Sequence, residues 1–293
     1  MRPKAFVRIA AVAVLALALI PLQALAIRRN WRLAGRLPAF FHRCVLVIIG
    51  VRVETRGRED GRRPLLIVAN HVSWLDIMVL GAAAPLSFIA KSEVAGWPGI
   101  GLLARLQRSI FIERQSRHKT GAAASAIGER MRRGDAMLLF AEGTTGDGIH
   151  ILPFRSALVG AARRALTEGE EAAFVQPAAL RYTRRDGLPI GRTGMPAISW
   201  AGDLDLVPHL MAILAGGPID VVLSWGEALQ FDAGTDRKAL TRDLELVVRR
   251  LVAEARLSAK VAAARENACP DPQPRRSWLQ LLGRRTTGPC SPS

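Results

Sequence analysis

The segment Asn70-His71-Val72-Ser73-Trp74-Leu75-Asp76 places an imidazole and a carboxylate five positions apart. An Asp bonded to one ring nitrogen of a His fixes the tautomer and raises the basicity of the other nitrogen. Such a pair is the base half of a hydrolytic triad without its serine. The nucleophile would then be a hydroxyl carried in by the substrate. The pairing requires the chain to turn into a helix after Ser73, so that the carboxylate folds back. The same residues also suit a polar turn in which Asp76 or Ser73 caps a helix. Residue types alone leave both readings open.

Three more segments carry groups of the right kind. Ile110-Phe111-Ile112-Glu113-Arg114 ends an apolar stretch in an Arg, a partner for an anion. Phe140-Ala141-Glu142-Gly143-Thr144-Thr145 ends another in an acid and a Gly turn. Leu152-Pro153-Phe154-Arg155 follows a Gly-Asp-Gly loop. If the apolar stretches are strands of one sheet, their ends open onto one face. That face would collect the His–Asp pair, the Arg and the Glu-Gly turn.

The elements needed to position these groups can be read from the pattern. Leu65–Ala69, Ser87–Ala90, Ile110–Ile112, Ala136–Phe140, Phe174–Leu180 and Ile219–Trp225 are predicted strands. Helices are predicted over Trp97–Leu106, Lys119–Arg133, Arg155–Leu166 and, long and charged, Asp236–Ala264. This alternation predicts an α/β fold: a central mixed, largely parallel sheet flanked by helices and largely buried. The expected organisation is an N-terminal membrane-associated segment (1–50), a catalytic domain (51–265) and a basic, Pro-rich, disordered tail (266–293). No internal repeat is evident.

The first segment rests on an apolar run from Ile9 to Ala26, interrupted only by Pro21 and Gln23. It is just long enough to span a bilayer. Ala24-Leu25-Ala26 also resembles a secretory cleavage site. Arg28, Arg29, Arg32 and Arg36 follow directly and disfavour export of what comes next, so a retained membrane helix is expected, with the catalytic face towards the cytoplasm at the inner membrane. Cys44–Val51 is too short to span and reads as a buried strand or an interfacial segment.

Across 293 residues, Lys plus Arg exceed Asp plus Glu by 41 − 25 = 16. Such an excess suits an anionic partner: lipid headgroups, an acidic carrier protein or nucleic acid. Aromatic residues are only 5% of the chain, too sparse for a base-stacking platform, and no nucleic-acid motif is present. Arg105, Arg108, Arg117 and Lys119 cluster around the second segment as a carrier or headgroup surface or as a solvated face. Cys44, Cys269 and Cys290 have no metal-ligand spacing, nor do His42, His118, His150 and His209, which read as surface or loop residues. Lys91 and Glu93 read as a strand-end ion pair or as site lining, and Trp97 and Pro98 as packing or as tunnel lining.

In order and spacing, these segments resemble the lysophospholipid acyltransferases, including 1-acyl-sn-glycerol-3-phosphate acyltransferases. NHVSWLD matches their Asn-His-x4-Asp motif, FIER their Phe-Ile-x-Arg, FAEGTT their Phe-Pro-Glu-Gly-Thr, and Val175-Gln176-Pro177 their hydrophobic-Pro motif. The resemblance spans Asn70 to about Pro177 and leaves out the C-terminal third. It implies a glycerolipid acyltransferase-like fold with His71 as general base and Asp76 orienting it. It also implies acceptor contacts from Arg114, Glu142, Gly143 and Thr144. The acyl donor would be acyl-acyl carrier protein or acyl-CoA, as co-substrate rather than cofactor, and no metal is implied. Two positions depart from the pattern: Ala141 replaces the Pro, and Thr145 stands where glycerophosphate-specific members often carry Arg. Losing that guanidinium removes a phosphate partner. Together with the stretch from Phe88 to Arg114 and EGTTGDG, this makes the chain more similar to the bacterial lyso-ornithine lipid O-acyltransferases. Two rivals stand beside this reading. A lipase or esterase would need Gly-x-Ser-x-Gly at a strand–helix elbow, which is absent. A membrane-tethered basic binding protein would give His71 no special role.

Overall fold

The computed structural model describes residues 3–112, 117–159, 172–202, 204–232 and 234–268. Two helices come first, α1 (Pro3–Arg28) and α2 (Leu33–Ile49). Then follow β1 (Val51–Arg56), β2 (Leu65–Ala69), α3 (Leu75–Ala83) and β3 (Leu86–Lys91). Next come a 3-10 turn (Ser92–Gly96), α4 (Ile100–Leu106), β4 (Ile110–Ile112), α5 (Arg117–Arg132) and β5 (Ala136–Phe140). The chain continues through α6 (Ser156–Val159), the long β6 (Ala173–Arg185), β7 (Leu188–Pro189) and a second 3-10 turn (Arg192–Ala197). It closes with α7 (Leu206–Ala215), β8 (Ile219–Trp225), β9 (Leu229–Phe231) and α8 (Arg237–Ala268).

The strands form one mixed sheet in the order β1-β8-β6-β2-β5-β3-β4, with β7 and β9 added to β6. Neighbours pair in parallel, except that β6 runs antiparallel to β8, β7 and β9. β2 and β5 are buried along their whole length. Their uninterrupted Leu, Ile, Val, Ala, Met and Phe side chains suit a parallel strand covered on both faces. On one face lie α2, α3 and α7, which bring Val45, Leu46, Leu75, Val79, Leu80 and Ile213 to a core with Ile67 and Leu138. On the other, Ile127, Met131, Leu244 and Val248 of α5 and α8 cover Leu66, Val68 and Leu139. Each enclosed Leu or Val adds about 1.5–3 kcal/mol of apolar burial.

Register decides what meets at the sheet's edge. Ala69 of β2 stands beside both Phe140 of β5 and Ala178 of β6. Residues just beyond these positions therefore emerge side by side, which is why His71, Glu142 and residues 180–182 become neighbours.

The predicted strands over 65–69, 110–112, 136–140 and 219–225 coincide with β2, β4, β5 and β8. Of Cys44–Val51, expected as a buried strand or an interfacial segment, residues 44–49 form the last turns of α2, Gly50 ends that helix in a left-handed conformation (φ 85°), and Val51 opens β1. The helix expected over 155–166 is described only as α6, and its later residues lie outside the described ones. α8 runs through Ala268, so 266–268 are helical rather than tail, and 269–293 lie outside the described residues.

Among the described residues, α1 alone is long and apolar enough to cross a membrane. It lies against the domain and is tied near both ends. Arg8 Nη1 donates to the carbonyls of Leu214 (2.9 Å) and Gly216 (3.0 Å), and Gln23 Nε2 donates to those of Ala34 (2.9 Å) and Leu106 (2.7 Å).

α2 and α3 cross where Gly81 meets His42. A Cβ on Gly81 would lie 1.9 Å from His42 Nδ1. His42 is buried in α2 rather than exposed in a loop, and burial pushes its pKa down to about 4, so it packs as a neutral ring. Gly81→Ala is expected to destabilise the protein by about 1–3 kcal/mol through overpacking. Calorimetry should show a Tm lowered by several degrees; an unchanged Tm would mean that His42 can retreat.

Candidate functional site

β2 ends at Ala69, and the chain turns sharply before α3 starts at Leu75. Asp76, in the first turn of α3, reaches back across this turn. Its Oδ2 accepts from the backbone N–H of Val72 (2.6 Å) and of Ser73 (2.9 Å) and lies 2.9 Å from His71 Nδ1. The carboxylate that holds the imidazole also secures the turn, but neither Asp76 nor Ser73 caps the helix: Trp74 stands at the N-cap without a side-chain cap, and Ser73 Oγ has no partner. Asp76 is wholly buried, and the His71 side chain is 15% exposed.

The imidazole is fixed in a second way. Its ring stacks on Phe140 at the end of β5, with centroids 3.8 Å apart and planes 11° from parallel. With Nδ1 facing a carboxylate, the ring proton belongs there, and Nε2 is left as the acceptor. Nε2 has no hydrogen-bond partner among the described residues, and it is absent from the sealed, unpartnered polar atoms (Gln23 Oε1, His42 Nδ1, Ser73 Oγ and His209 Nε2). A basic nitrogen is thus open at the carboxyl edge of the sheet.

Asp76 has a fourth donor. The hydroxyl of Tyr182, on β6, donates to Oδ1 at 2.6 Å. Burial, reinforced by the Asp76 charge, lifts the Tyr182 pKa well above its usual value, so this hydroxyl stays a donor. Tyr182 is the only tyrosine of the chain. The motif segments gave no sign of it. The available signal was the alternation along β6, which puts Ala178, Leu180 and Tyr182 on the α3 side of the sheet.

Glu142 does not sit as an exposed headgroup contact. It is buried, with Oε1 accepting from the backbone N–H of His71 and Oε2 from that of Leu152, each at 2.8 Å. It clamps the His71 turn to the loop after β5. The same loop is drawn in by the Gly146 N–H, which donates to the His71 carbonyl at 2.7 Å. Gly148, at φ 70°, passes so near Met195 and Val72 that a Cβ would come within 2.8 Å of both side chains. This accounts for the Gly-Asp-Gly sequence. Gly143 is buried and Thr144 exposed on the same loop, whereas Arg114 lies outside the described residues.

Residues after β6 close over this turn. The Trp200 N–H donates to the Val72 carbonyl at 2.8 Å, and its ring meets Trp97 edge-on at 6.0 Å. Trp74 Nε1 donates to His209 Nδ1 at 3.2 Å, so His209 belongs to this wall and not to a surface loop. Of the basic cluster near β4, Arg108 is paired with Asp135 and Arg105 donates to the Ala95 carbonyl. Among the described residues no group of three or more His, Cys, Asp or Glu side chains is placed to hold a metal ion.

A buried His–Asp pair with an open Nε2 stands at the carboxyl edge of a mixed sheet. The comparisons supply the class of protein. The family model described as Acyltransferase matches residues 52–181. The lyso-ornithine lipid O-acyltransferase of Brucella abortus is 48% identical over 88% of this chain and 97% of its own length. That of Rhizobium meliloti is 40% identical over 87% of both. A 1-acyl-sn-glycerol-3-phosphate acyltransferase of Neisseria meningitidis is 33% identical over 72% of this chain and 79% of its own. The crystal structure of the 1-acyl-sn-glycerophosphate acyltransferase of Thermotoga maritima shares the fold, with a TM-score of 0.59 at 22% identity over 87% of this chain and 98% of that one. The chain belongs to the acyltransferase family and is an enzyme that transfers acyl groups.

Two measurements probe the site's construction. Tyr182→Phe leaves Oδ1 of Asp76 without a donor in a dry environment, which costs about 1–3 kcal/mol. A Tm equal to the parent's would show that another donor replaces the hydroxyl. The second measurement concerns Glu142, whose carboxyl is lifted by burial from 4.5 to about 7, against the pull of its two backbone donors. Between those values the folded protein keeps a proton that the unfolded chain has released. Stability is therefore lost as pH rises through that window and levels off above it. In Glu142→Gln this loss disappears, so its Tm relative to the parent rises from the low end of the window to the high end. A constant difference would mean an ordinary carboxyl.

Proposed function

We propose that the enzyme moves a fatty acyl group from a thioester onto the free hydroxyl of a lysolipid, with lyso-ornithine lipid the preferred acceptor. The open Nε2 of His71, held through Nδ1 by Asp76, carries this reading. The acceptor hydroxyl gives its proton to Nε2 as its oxygen attacks the thioester carbonyl. The tetrahedral intermediate collapses, the C–S bond breaks, and the departing sulfur receives the proton. A thioester is already activated, so a positioned base and oxyanion stabilisation suffice without metal or cofactor.

Asp76 and Tyr182 act behind the base, and Glu142 holds its backbone. Arg114, Gly143 and Thr144 are assigned to the acceptor headgroup on the strength of the motif resemblance. Two observations favour an amino-acid headgroup over a phosphate: Thr145 where an Arg would bind phosphate, and the near full-length similarity to the Brucella and Rhizobium enzymes. The Neisseria relative makes 1-acyl-sn-glycerol-3-phosphate the second acceptor to test. The net charge of +16 suits an acidic acyl carrier protein as donor, with acyl-CoA the alternative.

The apolar α1 and a substrate class that resides in membranes support membrane association. Phe6, Val14, Leu17, Phe40 and Val47 of α1 and α2 are exposed and give the bilayer an apolar surface to meet. Arg28, Arg29, Arg32 and Arg36 favour the cytoplasmic side of the inner membrane.

Full-length protein in vesicles, supplied with acyl-acyl carrier protein and either lysolipid, should give diacylated product, with lyso-ornithine lipid the better substrate by kcat/KM. His71→Ala should lower kcat by about 10²–10⁴-fold. Equal turnover by the two proteins would remove His71 from the reaction, and a higher kcat/KM for the phosphate lipid would reverse the acceptor order.

A further inference from the structure

Arg181 precedes Tyr182 on β6 and points to the opposite face, towards α8, in line with Val175 and Ala179. It is only 8% exposed. Its Nη1 donates to the Gly148 carbonyl at 2.6 Å, and no other hydrogen bond or ion pair engages it among the described residues. The charge felt most nearby is of the same sign. Burial first, and then Arg256 of α8, depress the Arg181 pKa. Arg256 has no ion-pair partner among the described residues, whereas Arg249, two turns earlier on α8, is neutralised by Glu245. A guanidinium taken out of water beside a second guanidinium, with no carboxylate paired to it among the described residues, is a buried charge without compensation there, an arrangement proteins rarely keep.

Its position relates it to the chemistry. The carbonyl it holds belongs to Gly148, in the loop whose Gly146 N–H bonds the His71 carbonyl and whose backbone abuts Val72. The unused Nε and Nη2 are not among the sealed, unpartnered atoms. A guanidinium has five N–H donors in a planar fork, which fits two oxygens of one carboxylate or phosphate.

We infer that Arg181, backed by Arg256, forms an oxyanion-binding site that takes a carboxylate or phosphate group of one of the two substrates during acyl transfer. This rests on the reading above and adds a binding site to it. The ligand chemistry has two sources: the carboxylate of an amino-acid headgroup on the acceptor, or a phosphate of the phosphopantetheine arm that carries the acyl thioester.

The test is steady-state kinetics of the full-length enzyme in vesicles, varying lyso-ornithine lipid and acyl-acyl carrier protein separately. Arg181→Met keeps the apolar stem and removes the charge. The expected result is a rise of about tenfold in one KM, the scale of a lost charge-assisted hydrogen bond, with kcat changed less. A rise confined to the acceptor KM places the acceptor's carboxylate at Arg181, and a rise confined to the donor KM places the donor's phosphate there. Both KM values within twofold of the parent overturn the inference. So does a fall in kcat and Tm with neither KM raised, the signature of a residue that only fastens the loop. Arg256→Gln, which disturbs no hydrogen bond, should raise the same KM by a smaller factor. It decides the matter should Arg181→Met fail to fold, because an unchanged KM there also overturns the site. An inactive parent enzyme would instead defeat the acyl-transfer reading itself.

Discussion

A wholly buried carboxylate needs donors, and Asp76 has four: two backbone N–H groups, the His71 ring and the Tyr182 hydroxyl. They arise from three different constraints. The backbone donors exist only if the chain turns tightly between β2 and α3. The ring donor exists only if the imidazole lies in one orientation, which stacking on Phe140 enforces. The hydroxyl arrives only if β6 continues past Pro177 for a further five residues on the correct face. Turn, sheet register and tautomer are thus tied to one anion, and a shift in any of them leaves a charge unsatisfied in a dry place.

The sheet makes this economical. Parallel pairing of β2 with both β5 and β6 brings the ends of β2 and β5 beside the middle of β6 without any long-range loop having to be ordered for the purpose. The loop after β5 then serves the same edge from above. Glu142 grips both its far end, at Leu152, and the His71 turn, while Gly148 lets the backbone pass where a side chain would collide. A carboxyl lifted by burial and still pulled by two backbone donors is a costly clamp. Its place one bond from the His71 backbone indicates what the cost secures.

Much of this was legible in the sequence because buried parallel strands are unbroken apolar runs bounded by polar turns. β2 and β5 were readable to the residue for that reason. The same property left Cys44–Val51 open between a buried strand and an interfacial segment, because an apolar run of that length does not distinguish a strand from the end of a helix. α7 is short and almost wholly apolar, with Pro208 and His209 near its start, and was not predicted. At the site, His71 and Asp76 were legible because they lie within one turn of chain. Tyr182, Trp200 and His209 arrive from more than 100 residues away, and nothing local to Asp76 announces them. The direction of Glu142 could not be read from its motif: its carboxyl turns inward to the backbone of His71 and Leu152.

The lone tyrosine offers a further consequence. Substituting a fluorinated tyrosine throughout the chain would label a single position, and that position touches the carboxylate behind the base. One fluorine resonance would then report on the electrostatics of the reaction centre in intact bilayers, without any engineered label and without background from elsewhere in the protein.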